Sequence, residues 1–206
     1  MNQTKTSYHH GDLRSSLLEA ATHLIAEGGV DALSMRKLAD RVGVSRTAPY
    51  HHFKDKHDLL SAIAEDGFRS YERALREALD DDRAKEDWLS CFVRFYLNFA
   101  QSYPETYNLM FGHDVWKSGQ PTNELKTQAH GCFRKHVDRV SQWQQRGLIG
   151  SDIDPLRFAQ VTWSTLHGLS RLLLDGIYVD SKQLDDVIDL SIKMFRSVGI
   201  HPEKTG

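Results

Sequence analysis

The side chains in this sequence that could bind a metal ion are mainly histidines. Two adjacent pairs occur, His9-His10 and His51-His52. Neighbouring residues on a helix point about a quarter-turn or more apart, so an adjacent pair rarely chelates one ion. Neither pair is accompanied by a second histidine or a glutamate at metal-ligand spacing, and His130 and His136 do not share a helical face. We therefore predict no metal site and no cofactor.

Acid–base catalysis is the second chemistry that the sequence could support. His113, Asp114 and His167 could exchange protons in an active site. There is, however, no nucleophile motif and no helix face with paired carboxylates. The two cysteines, Cys91 and Cys132, are too few for a thiolate zinc site and argue against a disulfide scaffold. A helical enzyme is the alternative function, but we predict that the chain is not an enzyme.

The elements that would position these side chains are helices. Leu13, Leu17 and Leu24 recur at helical spacing, and Gly28-Gly29 ends that first helix. Clusters of Pro, Gly and Asp separate the later segments, and no stretch alternates like a strand. The later helices are predicted at roughly 58–80, 84–102, 104–116, 122–147, 155–178 and 183–198. The sequence thus predicts an all-α protein.

Two short helices between Ser34 and Phe53 fit a helix-turn-helix. They span Ser34–Val42 and Ser45–Phe53, and Asp55 with Asp58 is predicted to cap the helix that follows. A steep crossing requires a small residue at the contact, one that tolerates positive φ at the turn and an apolar plug. Ala39, Gly43 and Val44 meet these needs. An ordinary helical hairpin uses the same residue types, so spacing alone leaves both open.

The wider sequence resembles the TetR family of transcriptional repressors. The resemblance rests on Val42-Gly43-Val44-Ser45, on Tyr50-His51-His52-Phe53-Lys54-Asp55-Lys56 and on the opening Tyr8-His9-His10-Gly11-Asp12-Leu13-Arg14. It implies an N-terminal three-helix DNA-binding domain over 1–57, followed by an effector-binding and dimerisation domain over 58–206. A purely structural helical module, a third hypothesis, would leave Ser45 to Lys56 unexplained.

The resemblance also implies which residues bind double-stranded operator DNA. The implied DNA-binding residues are Ser45, Arg46, Thr47, Tyr50, His51 and Lys56. Arg46 and Thr47 fall where family members contact base edges, and Tyr50, His51 and Lys56 where they contact phosphates. Physical chemistry agrees, since a recognition helix enters the major groove by its N-terminal end and arginine pairs with guanine in bidentate fashion. Pro49 departs from the commoner aliphatic residue and is expected to shift how Arg46 and Thr47 are presented.

Charge and hydropathy are consistent with a DNA-binding protein of the cytoplasm. The net charge is −2, but residues 1–56 carry eight Lys/Arg against six Asp/Glu, whereas the remainder carries 18 against 22. This division predicts a mildly basic head on an acidic body. No apolar run approaches the ~20 residues needed to cross a bilayer, and no signal-peptide core is present. We therefore predict a cytoplasmic protein without membrane contact.

An aromatic stripe occupies the middle of the chain. Trp88, Phe92, Phe95 and Phe99 recur at helical spacing, and such a stripe is usually core. The family resemblance implies a small-molecule effector among these helices. The residues expected to line its site are Trp88, Phe92, Phe95, Phe99, Tyr107, Phe111 and Trp163. We predict a repressor that a small apolar or aromatic effector releases from its operator.

The segment Trp163-Ser164-Thr165-Leu166-His167-Gly168 resembles the C-terminal domain signature of one TetR subgroup. Gly168 inside a helix is expected where another helix packs closely. The 155–178 helix is apolar over much of its circumference, as expected for a helix buried on more than one side. The sequence therefore predicts a homodimer joined through the helices near 122–147 and 155–178.

Overall fold

The computed structural model describes residues 13–80, 87–117, 120–177 and 181–199, and these contain helices and turns but no β-strand. The elements are α1 (Leu13–Ala32), α2 (Met35–Val42), a 3-10 turn (Ala48–His51), α3 (Lys56–Asp80), α4 (Trp88–Ser102), α5 (Pro104–Phe111), α6 (His113–Trp116), α7 (Asn123–Gln145), α8 (Pro155–Leu174) and α9 (Ser181–Gly199). The predicted all-α fold is confirmed. The opening motif from Tyr8 to Asp12 lies outside the described residues.

The chain forms two compact units. The head unit comprises Met1–Asp66 with Glu105–Leu125, and the body unit comprises Gly67–Pro104 with Lys126–Gly206. Both α3 and α7 therefore begin in the head unit and end in the body unit. The functional boundary predicted after residue 57 falls in the first turn of α3 and stays a prediction.

The head unit packs around α1 and α2. The backbone of α1 leaves helical geometry at Gly28 and Gly29, where the φ of Gly29 is 74°, as the glycine pair predicts. Just beyond, the carbonyl of Val30 accepts a 2.6 Å hydrogen bond from Nζ of Lys56. The guanidinium of Arg14 lies 5.4 Å from the Phe53 ring centroid, over a side chain that is 2% exposed.

The α3 helix begins with reciprocal capping. Oδ1 of Asp55 accepts from the Asp58 N–H at 2.8 Å, and Oδ2 of Asp58 accepts from the Lys54 N–H at 2.9 Å. This pair satisfies amides that a helix start leaves without intrahelical partners. The predicted cap is therefore confirmed.

The body unit packs α4 against both α8 and α9. Ion pairs at the surface hold α4 to α9: Arg94 contacts Asp185 at 3.2 Å and Asp189 at 2.8 Å. At the start of α4, Asp87 receives a 2.7 Å contact from Arg196. The side chains of these pairs are 45–73% exposed, so each pair contributes little to stability.

The helix predicted over 104–116 is instead two helices, α5 and α6. They are separated at Gly112, whose backbone is extended (φ −81°, ψ 157°). A Cβ at this position would overlap the carbonyl oxygen of Asn108, so the break requires glycine. The apolar spacing of Tyr107, Phe111 and Trp116 concealed the break, because both helices bury the same kinds of side chain.

Candidate nucleic-acid interface and aromatic core

The first helix and turn of the predicted helix-turn-helix are present. Ser34 caps α2 by accepting from the Lys37 N–H at 3.2 Å. Gly43 ends α2 with a φ of 75°, and the N–H groups of Gly43 and Val44 both donate to the Ala39 carbonyl at 3.0 Å. Ala39 itself is fully buried, as a close helix crossing requires. The predicted roles of Ala39 and Gly43 are confirmed.

The second element differs from its prediction. Instead of a helix over Ser45–Phe53, the structure has a single 3-10 turn, Ala48–His51. Pro49 lacks the N–H that an α-helix would need to bond back to Ser45, and the turn uses i to i−3 bonds instead. Ala48 donates to Ser45 at 3.0 Å and Tyr50 to Thr47 at 3.1 Å. Pro49 is also buried, so it anchors the element in the head unit.

This turn presents most of the predicted DNA-binding residues to solvent. Tyr50 is 55% exposed, and Ser45, Arg46, Thr47 and His51 are also exposed. Oγ of Ser45 lies 3.1 Å from Oγ1 of Thr47, which links the two hydroxyls before the turn. His52 and Lys54, which the prediction did not include, are exposed beside it.

Lys56 differs from the other five. It is half-buried, and its ammonium group donates to the carbonyl of Val30 at the end of α1. The side chain therefore joins α3 to α1 inside the head unit. Its predicted phosphate contact stays a prediction, and an ammonium group has two further hydrogens with which to make one.

Tyr71 of α3 lies at the centre of the aromatic core in the body unit. The rings of Phe95, Tyr96 and Phe99 lie at centroid distances of 5.4, 5.7 and 5.1 Å from it, all edge-on. Trp163 of α8 lies 6.0 Å away. Three helices thus meet through rings at one residue. The sequence analysis missed Tyr71 because it weighed only the α4 stripe.

Five of the seven residues predicted to line an effector site belong to the body unit, namely Trp88, Phe92, Phe95, Phe99 and Trp163. The other two, Tyr107 and Phe111, belong to the head unit and pack on each other at 4.9 Å. The ring of Trp88 packs against that of Trp143 at a tilt of 30°, with centroids 3.9 Å apart, and Trp143 is a residue that the prediction did not include.

His136 of α7 is the second residue that the prediction missed. It is 1% exposed, and its ring lies nearly parallel to that of Phe92, with centroids 4.7 Å apart. Burial, and to a lesser degree the positive charge of Arg139, lower the pKa of His136 to about 3. The available signal was its position, since Cys132, His136, Val140 and Trp143 form the buried stripe of α7.

A buried ion pair lies beside this stripe. Arg139 of α7 pairs with Glu72 of α3, and their side chains are 16% and 12% exposed. The Cys132 thiol donates to Glu72 at 3.7 Å. Burial, and then the negative charge of Glu72, raise the pKa of Cys132 to about 12. The thiol is therefore protonated near neutral pH and is a poor nucleophile.

An apolar groove of about 400 Å³ runs between α8 and α9. Its walls include Phe158, Thr162 and Phe195, while Val161 and Met194 at its rim are 61% and 58% exposed. Exposed apolar side chains continue along α9 at Leu190 and Val198, which are 58% and 57% exposed. Large exposed apolar patches of this kind usually mark an interaction site.

The α7 helix, one of the two predicted to join subunits, exposes polar side chains. Its exposed residues are Asn123, Glu124, Lys126, Thr127, His130, Arg134, Lys135, Asp138, Gln142 and Gln145.

Gly168 of α8 has no atom of the described residues within 4 Å of an added Cβ, so close packing within the chain does not explain this glycine.

The three residues of the enzyme alternative fall in different units. His113 and Asp114 are exposed in the head unit, whereas His167 is half-buried in the body unit, where burial lowers its pKa. Within the part of the chain that the structure describes, no group of three His, Cys, Asp or Glu residues could hold a metal ion. No helix in that part is long and apolar enough to cross a membrane.

Two family profiles match this chain. The profile described as bacterial regulatory proteins, tetR family, matches residues 17–63, which include the helix-turn-helix. The profile described as tetracyclin repressor-like, C-terminal domain, matches residues 89–195. Together they span most of both compact units.

Individual relatives are also transcriptional regulators, and one aligns over most of the chain. The transcriptional repressor AcnR of Corynebacterium diphtheriae is 39% identical, over 89% of this chain and 92% of its own length. The transcriptional activator FasR of Mycolicibacterium smegmatis is 27% identical over 63% of this chain, but the alignment spans only 59% of FasR. A protein of unknown function from Rhodococcus sp. RHA1 has the same fold, with 32% identity, a TM-score of 0.82 and coverage of 96% of this chain and all of that one.

Proposed function

Because the chain belongs to the TetR family of transcriptional regulators, we propose that it is a homodimeric repressor that an aromatic effector releases from its operator. The observation that carries the proposal is the exposed surface of Arg46, Thr47, Tyr50 and His51, held by a helix-turn-helix within the matched segment. The relative that aligns over 92% of its length is a repressor, which favours repression over activation. Repression requires chromosomal DNA and thus places the protein in the cytoplasm.

Arg46 and Thr47 are the proposed base-reading residues, and Tyr50, His51 and Lys56 the proposed phosphate contacts. Arg46 is exposed just before the turn, and an arginine side chain can pair with guanine in bidentate fashion. Ser45 holds the hydroxyl of Thr47 and so restricts its direction. Exposed Lys54 adds a further cation beside the phosphate contacts.

The DNA-binding proposal is tested by Arg46→Ala and Lys56→Ala. We expect Arg46→Ala to weaken the cognate site by roughly 1–3 kcal/mol and to relax base preference at one position. Lys56→Ala should weaken all sequences alike and reduce the salt slope by about one. The measurements are gel shifts on DNA flanking the protein's own gene and selection from a randomised site.

The matched control is Arg134→Ala, which removes an exposed arginine of α7 in the body unit. It should leave affinity and base preference unchanged. Unaltered base preference in Arg46→Ala would contradict the assignment of Arg46 to base reading, while leaving the phosphate contacts to be judged from their salt dependence.

We place the effector in the aromatic core, where α3, α4 and α8 meet at Tyr71. Tyr71 and Lys56 belong to the same continuous helix, so a ligand that displaces the ring of Tyr71 acts directly on the helix that begins at the DNA-binding region. The effector must bind the non-DNA-binding state more tightly, and a coupling of ~1–3 kcal/mol lowers DNA affinity about 5- to 150-fold. Operator DNA must weaken effector binding equally.

The variant Phe95→Trp tests whether this core accepts a ligand. Phe95 is half-buried beside Tyr71, so a larger ring should fill ligand space and abolish the thermal shift caused by small aromatic compounds, with DNA binding unchanged. Tyr103→Trp, at a 57% exposed position after α4, is the control. If Phe95→Trp instead lowers the melting temperature and DNA affinity together, the core is solid and the effector site lies elsewhere.

We assign the groove between α8 and α9 to a second copy of the chain. Four exposed apolar side chains rim or extend it, and a two-fold axis would bring the same patch of each subunit together. The sequence-based pairing of α7 with α8 is replaced here by α8 with α9, because the exposed side of α7 is polar. The open space at Gly168 would admit a side chain of the partner helix, so Gly168→Leu is still expected to weaken dimerisation.

A further inference from the structure

His136 is a buried polar side chain among aromatic rings. Besides Phe92, the rings of Trp163 and Trp143 lie at centroid distances of 5.4 and 6.5 Å, and that of Phe133 at 6.5 Å. Two of these neighbours, Phe92 and Trp163, are among the residues proposed to line the effector site. The imidazole is therefore the polar group that a ligand in this part of the core would meet.

The hydrogen bonds of Thr162 determine which nitrogen of His136 carries the proton. Oγ1 of Thr162 donates its hydrogen to the carbonyl of Phe158 at 2.8 Å. It can then only accept from Nε2 of His136, 3.4 Å away, so the proton of the ring lies on Nε2. Nδ1 is left as an acceptor, buried and without a hydrogen-bond partner among the described residues.

We propose that Nδ1 of His136 accepts a hydrogen bond from the effector, which is therefore a neutral aromatic molecule bearing a hydroxyl or N–H group, such as a phenol. This inference rests on the effector site proposed above. A buried acceptor without a donor is unfavourable in the free protein, and a ligand hydroxyl removes that cost on binding.

The charges around His136 favour a neutral ligand. A carboxylate would face the lone pair of Nδ1, while Arg139, the nearby cation, is already paired with Glu72. A hydrocarbon of the same shape would leave Nδ1 without a partner. Oγ of Ser170 is also buried and without a partner among the described residues, and it lies two turns after Trp163 on the same side of α8.

The test compares ligands that differ only in the donor. The probes are β-naphthol with β-methylnaphthalene, and para-phenylphenol with para-methylbiphenyl, titrated into the full-length protein and followed by tryptophan fluorescence. The methyl compounds are more hydrophobic, so burial alone favours them. We expect the hydroxyl compounds to bind roughly ten- to a hundredfold more tightly.

Variants assign this preference to His136. His136→Phe keeps a flat ring but removes the acceptor, and should abolish the preference while retaining binding of the methyl compounds. Thr162→Val is a conservative change that removes the acceptor for Nε2. The ring proton can then lie on either nitrogen, which should weaken the preference without abolishing it. His130→Phe, at an exposed position of the same helix, is the matched control and should preserve it.

A second readout follows His136 directly. In protein labelled with nitrogen-15 histidine, the Nδ1 resonance of His136, identified by its loss in His136→Phe, should move when β-naphthol binds and stay fixed with β-methylnaphthalene. Equal binding of both members of each pair, or an unchanged preference in His136→Phe, would overturn the proposal and leave the effector site standing. If neither member of either pair binds, the proposal and the aromatic effector site both fail, whereas the DNA-binding proposal is unaffected.

Discussion

The variant Met194→Asp is expected to be monomeric and to lose binding to operator DNA. Met194 is 58% exposed at the rim of the groove between α8 and α9. In a two-fold dimer the substitution buries two unpaired carboxylates in an apolar contact, which is strongly unfavourable. Two linked heads bind far more tightly than one, so separation of the subunits should reduce DNA affinity by roughly a hundredfold or more.

Sedimentation and a gel shift at the same protein concentration measure the two effects. Lys193→Glu is a stringent control, because it changes the charge by more than Met194→Asp does and lies at an exposed position about a quarter-turn away, outside the groove lining. The control should remain dimeric and bind DNA normally. A Met194→Asp protein that remains a dimer would refute the assignment of this groove to a second copy.

Features that depend on neighbouring residues could be predicted from the sequence. Ser34, Gly43 and the Asp55–Asp58 pair act through bonds to amides and carbonyls no more than four residues away. Such signals fix where helices start and stop, whatever the rest of the chain does. They did not by themselves distinguish a helix-turn-helix from an ordinary helical hairpin, and the family resemblance made that distinction.

The recognition element shows where that reasoning failed. Pro49 falls inside the helix predicted over Ser45–Phe53, but it removes a backbone hydrogen bond that a short element cannot replace. In the 3-10 turn over Ala48–His51, the amides instead donate to carbonyls three residues earlier. In a long helix, tertiary packing and further hydrogen bonds offset such a loss, whereas this element has only a single turn.

The aromatic core could be predicted only in part. The family resemblance implied Phe95, Phe99 and Trp163, but Tyr71 was missed because the core is assembled across the chain. Tyr71, Phe99 and Trp163 come from three helices, and no spacing in the sequence indicates that they converge. The surface that joins two subunits stays a prediction. Both α8 and α9 carry apolar residues on several sides, and only folding shows which of these stay exposed on one chain.

The last prediction concerns stability against pH, and His136 should dominate the difference between wild type and His136→Phe. The pKa of His136 is about 3 in the folded protein, against a usual value of 6.5. Between these values the unfolded chain binds a proton that the folded protein does not, so stability rises with pH. The stabilisation is complete well above pH 6.5 and is lost as the pH falls toward 3.

At pH 5 the unfolded imidazole is mostly protonated and the folded one is not, so wild type should lose about 2 kcal/mol relative to pH 8 from this group alone. The phenylalanine variant has no proton to bind in either state and should lose that much less over the same interval. Urea unfolding at both pH values, at one protein concentration, measures the difference, and the matched control His130→Phe, at an exposed position, should follow wild type.

Equal pH dependence in His136→Phe and wild type would mean that His136 is protonated or solvated in the folded state. Nδ1 could not then be the buried acceptor that selects a hydroxyl-bearing effector, so this measurement, which needs no ligand, tests the same atom independently.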